Sequence, residues 1–108
     1  MDMYRVDWLK SAKTDLAGIY RYMSKQSTRL MARMFVNVIQ ITAEDKLSFM
    51  PQKYRLLGDV YLAASGLRKV NVKNYSIFFV INEDEKIVNV VRVIHSKRDW
   101  INVLQGKR

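Results

Sequence analysis

The residues of this 108-residue chain best suited to chemistry are cations gathered around a single imidazole. Arg68, Lys69 and Lys73 precede one apolar run, and Arg92, His95, Lys97 and Arg98 close the Val/Ile-rich segment after it. Such a set suits RNA phosphodiester cleavage, in which a ribose 2′-hydroxyl attacks its own phosphate. That reaction needs no metal or cofactor. It needs cations where charge builds on the phosphorane, with Arg68, Arg92 and Arg98 as candidates, and groups that move protons. His95 is the candidate, since an unperturbed imidazole suits a general acid or base. Lys69 or Lys73 would serve as a base only if neighbouring cations lowered its pKa. With Lys97, these two lysines are expected to contact the nucleic-acid backbone. The plainer alternative for His95 is a strand-end histidine bonded to backbone. Arg92 lies within a Val/Ile run, and Glu83, Asp84 and Glu85 stand at the far end of the hairpin. It is therefore expected to face an anionic ligand rather than an internal partner.

Other chemistries lack their residues. With no Cys and one His, the chain has no disulfide, no Cys-based zinc or iron–sulfur site and no multi-His metal site. None of its serines lies in a nucleophile elbow, and there is no Gly-rich phosphate loop. Asp59 and Asp99 are isolated, so paired-carboxylate hydrolysis has no candidate pair. The longest apolar run, Ile77–Ile81, is far below the roughly 20 residues of a membrane span, and the N-terminus lacks the features of a secretion signal.

The formal charge of +9, from 19 Lys and Arg against 10 Asp and Glu, favours a polyanionic or acidic partner. Between Asp15 and Glu44 there is no acid, and the bases Arg21, Lys25, Arg29 and Arg33 are spaced by four. On helices this spacing makes a basic stripe, suited to phosphate or to an acidic protein, or else simply a solvated face.

The elements that must position these groups follow from periodicity. Tyr4, Val6 and Trp8 alternate as in a half-buried strand over Met3–Leu9. Ser11 offers a cap for a helix whose inner face is Ala12, Leu16, Ile19, Tyr20 and Met23. Ser27 or Thr28 then caps a second helix with an apolar face of Met31, Met34, Phe35, Val38 and Ile41, and the two fold back as a hairpin. After Pro51 the pattern turns to strands: Leu67–Lys73, then Tyr75–Ile81 covered on both faces, then Ile87–Ile94 beyond a polar turn of about five residues. Tyr54, Tyr61 and Tyr75 are candidates for base stacking, although aromatic residues within strands usually belong to the core. Trp100, Ile101 and Leu104 mark a short terminal helix. No linker or repeat divides the chain, so residues 1–108 are expected to form one α+β domain. Its expected order is an N-terminal strand, an αα-hairpin, an antiparallel β-sheet and a short C-terminal helix.

The chain resembles the RelE/ParE superfamily of bacterial toxins over nearly its whole length. The resemblance is carried by Tyr4-Arg5-Val6, by Ala12–Tyr22, and most clearly by Gly66-Leu67-Arg68-Lys69-Val70 through Val80 and Val91-Arg92-Val93-Ile94-His95-Ser96-Lys97-Arg98-Asp99-Trp100. It implies a cytoplasmic toxin that arrests growth and is neutralised by a cognate antitoxin wrapped around it. Arg21, Lys25, Arg29 and Arg33 are then the expected antitoxin contacts. Promoter DNA is reached indirectly, through the antitoxin. Two mechanisms occur in the superfamily: RelE-like members cleave mRNA on the ribosome with Arg, Lys and a late Tyr or His on the sheet, and ParE-like members inhibit DNA gyrase. Metal-independent mRNA cleavage is placed narrowly first here, with gyrase inhibition as the alternative. Arg68 and Arg98 match both branches. Ser76, however, stands where RelE-like nucleases usually have Arg, and the C-terminal Tyr is replaced by Trp100 and Ile101.

Overall fold

The computed structural model describes residues 3–106. Strand β1 (Arg5–Trp8) leads into helix α1 (Lys10–Gln26), and helix α2 (Arg29–Leu47) folds back along it. Thr28 caps α2 by accepting the Met31 N–H at 3.1 Å, as its position predicts. Ser11 does not cap α1. The helix starts after Leu9 without a side-chain cap, and the Ser11 hydroxyl is used elsewhere.

A 3-10 turn over Pro51–Lys53 and a short helix α3 (Val60–Ala64) precede the remaining strands. Periodicity predicts no helix here, because five residues are too few to show a period. The local signals are nonetheless present: Asp59 accepts the Leu62 N–H at 3.1 Å, and Gly66 ends the segment at φ +80°, where a glycine carries no Cβ penalty. Strands β2 (Arg68–Val72), β3 (Tyr75–Asn82) and β4 (Ile87–His95) form an antiparallel meander, and helix α4 (Trp100–Leu104) follows Asp99.

The four-stranded sheet has the order β1-β4-β3-β2, with β1 parallel to β4. The sheet is therefore mixed rather than wholly antiparallel, because β1 reaches its partner only through a crossover containing the helical hairpin. Its pairing with β4 stops at Trp8 opposite Val90. Beyond that point α1 takes over the open edge. Ser11 Oγ donates to the Val91 carbonyl at 2.5 Å, and Asp15 Oδ2 accepts the Val93 N–H at 2.8 Å. Two backbone groups that would otherwise lack strand partners are thereby satisfied.

Two apolar layers hold the sheet. Leu16 and Ile19 of α1 and Ile39, Ala43 and Leu47 of α2 pack on Val70, Val72, Ile77, Phe79, Val88 and Val90. On the opposite face Leu57, Leu62 and Leu67 join Phe78 and Ile94, with Trp100 and Leu104 of α4 against them. The expectation that β3 is covered on both sides is met by Phe78 and Phe79, both fully buried.

The inner face of α2 differs from the expected one. Ala32, Ile39, Ala43 and Leu47 are buried, whereas Met31, Met34, Val38 and Ile41 face solvent and only Phe35 of the expected set packs inward. The helix is apolar on two opposite faces. The larger side chains lie on the outer face, because two of the buried positions, Ala32 and Ala43, are filled by alanine, which allows close approach.

Candidate functional site

An open cleft of about 730 Å³ lies where the helical hairpin meets the end of the sheet. Asp15, Gly18 and Tyr22 of α1 form one wall, Phe35 of α2 the back, and Tyr75, Val93 and His95 of the sheet the other wall, with Arg98 beyond. The register sets Tyr75 directly opposite His95, and their rings meet edge-on with centroids 5.2 Å apart. Phe35 meets Tyr75 from the other side, at 6.1 Å. Burial, with Tyr22 nearby adding to it, pushes the Tyr75 phenol above its ordinary value. It therefore remains a neutral hydroxyl at physiological pH. The His95 Nδ1 accepts the Lys97 N–H at 3.2 Å, which leaves the neutral ring its proton on Nε2. This is the backbone-bonded strand-end histidine weighed for the position, and it also fixes the ring in the cleft wall.

Of the four residues expected at a phosphate, only His95 and Arg98 share this cleft. Arg92 is withdrawn from it: Nε and Nη2 donate to the two oxygens of Asp15 at 2.7 and 3.1 Å, in a pair about three-quarters or more removed from solvent. That bidentate bond raises the guanidinium pKa, against the opposing effect of burial. The expected vacancy around Arg92 is therefore filled by an acid from α1. Strict alternation also fails there. Phe78 pairs with Arg92 but Phe79 with Val90, so Val91 is the extra residue of a bulge, which turns Arg92 toward the edge.

Arg68 lies elsewhere. It pairs with Phe79, whereas Val72 is level with Tyr75 and His95, so four residues at about 3.3 Å each separate it from the cleft along the strand. Its Nη1 donates to the carbonyls of Tyr54, at 2.6 Å, and Gln52, at 3.3 Å. It thus ties the segment after the 3-10 turn to β2. Ser76, at the position of the usual RelE-like arginine, is 1% exposed and bonded to Asn71 at 2.9 Å and Ser96 at 3.2 Å.

The lysines are similarly dispersed. Lys69 lies over the Trp100 ring at 4.7 Å on the opposite face, Lys73 is exposed in the β2–β3 turn, and Lys97 is exposed beside His95. Arg21, Lys25, Arg29 and Arg33 are all exposed along the hairpin. Among the tyrosines, Tyr54 and Tyr75 pack with the first apolar layer and Tyr61 faces solvent. Asp59 and Asp99 cap α3 and α4. Sequence reasoning missed Asp15, Tyr22 and Phe35 as cleft residues. The available signal was Ser11 and Asp15, polar groups one helical turn apart on a helix that must pack beside a strand.

The architecture is shared with solved structures of toxin–antitoxin systems. It is shared with a solved structure of the chromosomal ParDE system from P. aeruginosa, with TM-score 0.71 and 18% identity over 88% of this chain and 98% of that one. It is also shared with the RelBE2 complex from Mycobacterium tuberculosis, with TM-score 0.67 and 19% identity over 88% and 93% of the two chains. An archaeal RelE–RelB complex from Pyrococcus horikoshii OT3 matches at TM-score 0.52 with 17% identity, over 89% and 98%. Residues 6–100 match the sequence profile of the ParE toxin of type II toxin–antitoxin systems, parDE, and the chain belongs to that family. Nothing among curated protein sequences matches it. Among the described residues, no helix is long and apolar enough to cross a membrane.

Proposed function

We propose that this toxin arrests growth by binding its target without cutting RNA, and that the target is DNA gyrase. The observation that carries this reading is the internal use of the strand guanidiniums. Arg92 is neutralised by Asp15 and Arg68 is spent on two backbone carbonyls. A phosphorane would not meet Arg92 as a free cation, Arg68 keeps its charge but is held four residues along the strand from the cleft, and Ser76 offers no replacement. The toxin acts in the cytoplasm, and a cognate antitoxin holds it inactive, with Arg21, Lys25, Arg29 and Arg33 as the basic contacts for an acidic antitoxin segment. Promoter DNA is contacted through the antitoxin. The membership of the family and the toxin–antitoxin complexes among its structural relatives support the antitoxin partner. A supercoiling assay with purified gyrase tests the target: cleaved complexes should accumulate with added toxin, and unaffected supercoiling at excess toxin would refute the reading.

The second reading, ribosome-dependent mRNA cleavage, draws on the sharing of one cleft by His95, Arg98 and Tyr75. In that mechanism His95 moves a proton while Arg98 stabilises the phosphate, and Lys69, Lys73 and Lys97 hold the nucleic acid. It requires new mRNA ends on programmed ribosomes and loss of growth arrest in His95→Ala. Gyrase inhibition predicts intact message and an arrest that survives His95→Ala.

A further inference from the structure

The side chains of α1 close the edge of β4 as far as Val93 and no further. Ser96 N–H donates to the Asn74 carbonyl at 2.8 Å, which with the register of β3 and β4 fixes the phase of the ladder. Ile94 therefore bonds to β3, whereas Val93 and His95 turn their backbone groups to the outer edge. Asp15 accepts the Val93 N–H, and the His95 carbonyl accepts the Arg98 N–H. The Val93 carbonyl and the His95 N–H remain side by side with no partner among the described residues. After Ser11 and Asp15, the next position on this stripe of α1 is Gly18, which has no side chain to offer. Gly18 lies inside α1, where only proline is a poorer helix former than glycine. Packing does not require it: an added Cβ would meet only Arg21 Nη2, at an ordinary 3.8 Å. It borders the cleft, and a glycine there lets a ligand approach the helix backbone.

We infer that this cleft binds a free purine nucleoside monophosphate. A purine carries a hydrogen-bond donor beside an acceptor on one edge: the amino group and N1 in adenine, N1–H and O6 in guanine. That pair complements the Val93 carbonyl and the His95 N–H. The flat faces of the base suit walls that include Tyr22, Phe35 and Tyr75. Arg98, whose guanidinium bonds to no described residue, supplies the cation for the phosphate. Asp15 is the lone carboxylate of this lining and is already taken by Arg92 and the Val93 N–H, so little opposes an anion there. A volume of about 730 Å³ is that of a small-molecule site. A partner strand fits less well, because Ser11 and Asp15 hold the edge up to Val93 and leave one residue's worth of pairing. No bond of the ligand is cut, and the inference does not depend on which target the toxin inhibits.

Isothermal titration calorimetry on the purified full chain, with AMP and GMP as probes, tests it. A dissociation constant of about 10–100 µM is expected for the better of the two. Purine riboside 5′-monophosphate, which lacks the 6-substituent, should bind about 10-fold or more weakly, and ribose 5-phosphate more weakly still. Arg98→Ala should lower the affinity about 10-fold, to that of the free nucleoside. Gly18→Leu should abolish binding while raising the thermal midpoint by about 3–5 °C, since leucine favours the helix. A glycine kept for structure alone would not link those two changes. No binding of either nucleotide at about 2 mM, ribose 5-phosphate binding as tightly as the nucleotide, or unaltered binding in the folded Gly18→Leu variant overturns the proposal. So does binding of single-stranded oligoadenylate without binding of AMP or GMP, since the cleft then belongs to a nucleic-acid chain.

Discussion

Asp15 performs three tasks with one carboxylate: it neutralises Arg92, accepts the Val93 N–H, and joins α1 to the edge of β4. Its removal leaves a guanidinium and an amide without partners in a partly buried place. Asp15→Ala should therefore cost about 2–4 kcal/mol in urea unfolding, and Asp15→Asn, which retains an acceptor, should cost less. Tyr75 gives a different signature. Its phenol is held above the ordinary value near 10, so the unfolded chain loses that proton first as pH rises. The neutral phenol's contribution is complete below pH 10 and declines above it. Stability measured from pH 9 to 11.5 should fall less steeply in Tyr75→Phe than in the parent. The candidate site was half legible at this scale. His95 and Arg98 could be placed at the end of β4 by counting, but the Arg92–Asp15 pair joins residues 77 apart in sequence across a bulge that no alternation pattern announces.

At the scale of elements, periodicity located the long helices and the strands, whereas residue size misled about the inner face of α2 and the cap expected at Ser11 is not one. Of Ser27 and Thr28, the two caps expected for α2, it is Thr28 that ends the joint of the hairpin by accepting the Met31 N–H. Thr28→Ala should destabilise the fold by about 1 kcal/mol, measured as a lower thermal midpoint with unchanged far-ultraviolet dichroism. Strands β2, β3 and β4 could be recognised from their Val and Ile content. Helix α3 could not, because its five residues take their helical form from Asp59 and from packing of Leu62 rather than from a repeat. The wrong face chosen for α2 has a related cause: Ala32 and Ala43 carry little hydrophobic signal, yet both are fully buried.

At the scale of the molecule, the sheet carries two apolar layers and Phe78 anchors the smaller one. Phe78 has no solvent exposure, and Trp100 packs on it with ring centroids 5.3 Å apart. Phe78→Ala should cost about 3–5 kcal/mol and unfold the whole chain in one transition, because both layers share β3. An α+β chain with a hairpin on its sheet was visible from the order of periodicities. The parallel pairing of β1 was not, since nothing in the alternating Arg5-Val6-Asp7-Trp8 points to a partner some 80 residues away.

That parallel pairing has a temporal consequence. Ser11 must wait for Val91, 80 residues later, before its bond can form. At synthesis rates of about 5–20 residues per second, roughly 4–16 s separate their appearance. During that interval the hairpin has no completed sheet to rest on, and the nascent chain is not yet a toxin. An antitoxin already present has those seconds to meet its partner while the molecule that must be restrained is still being assembled.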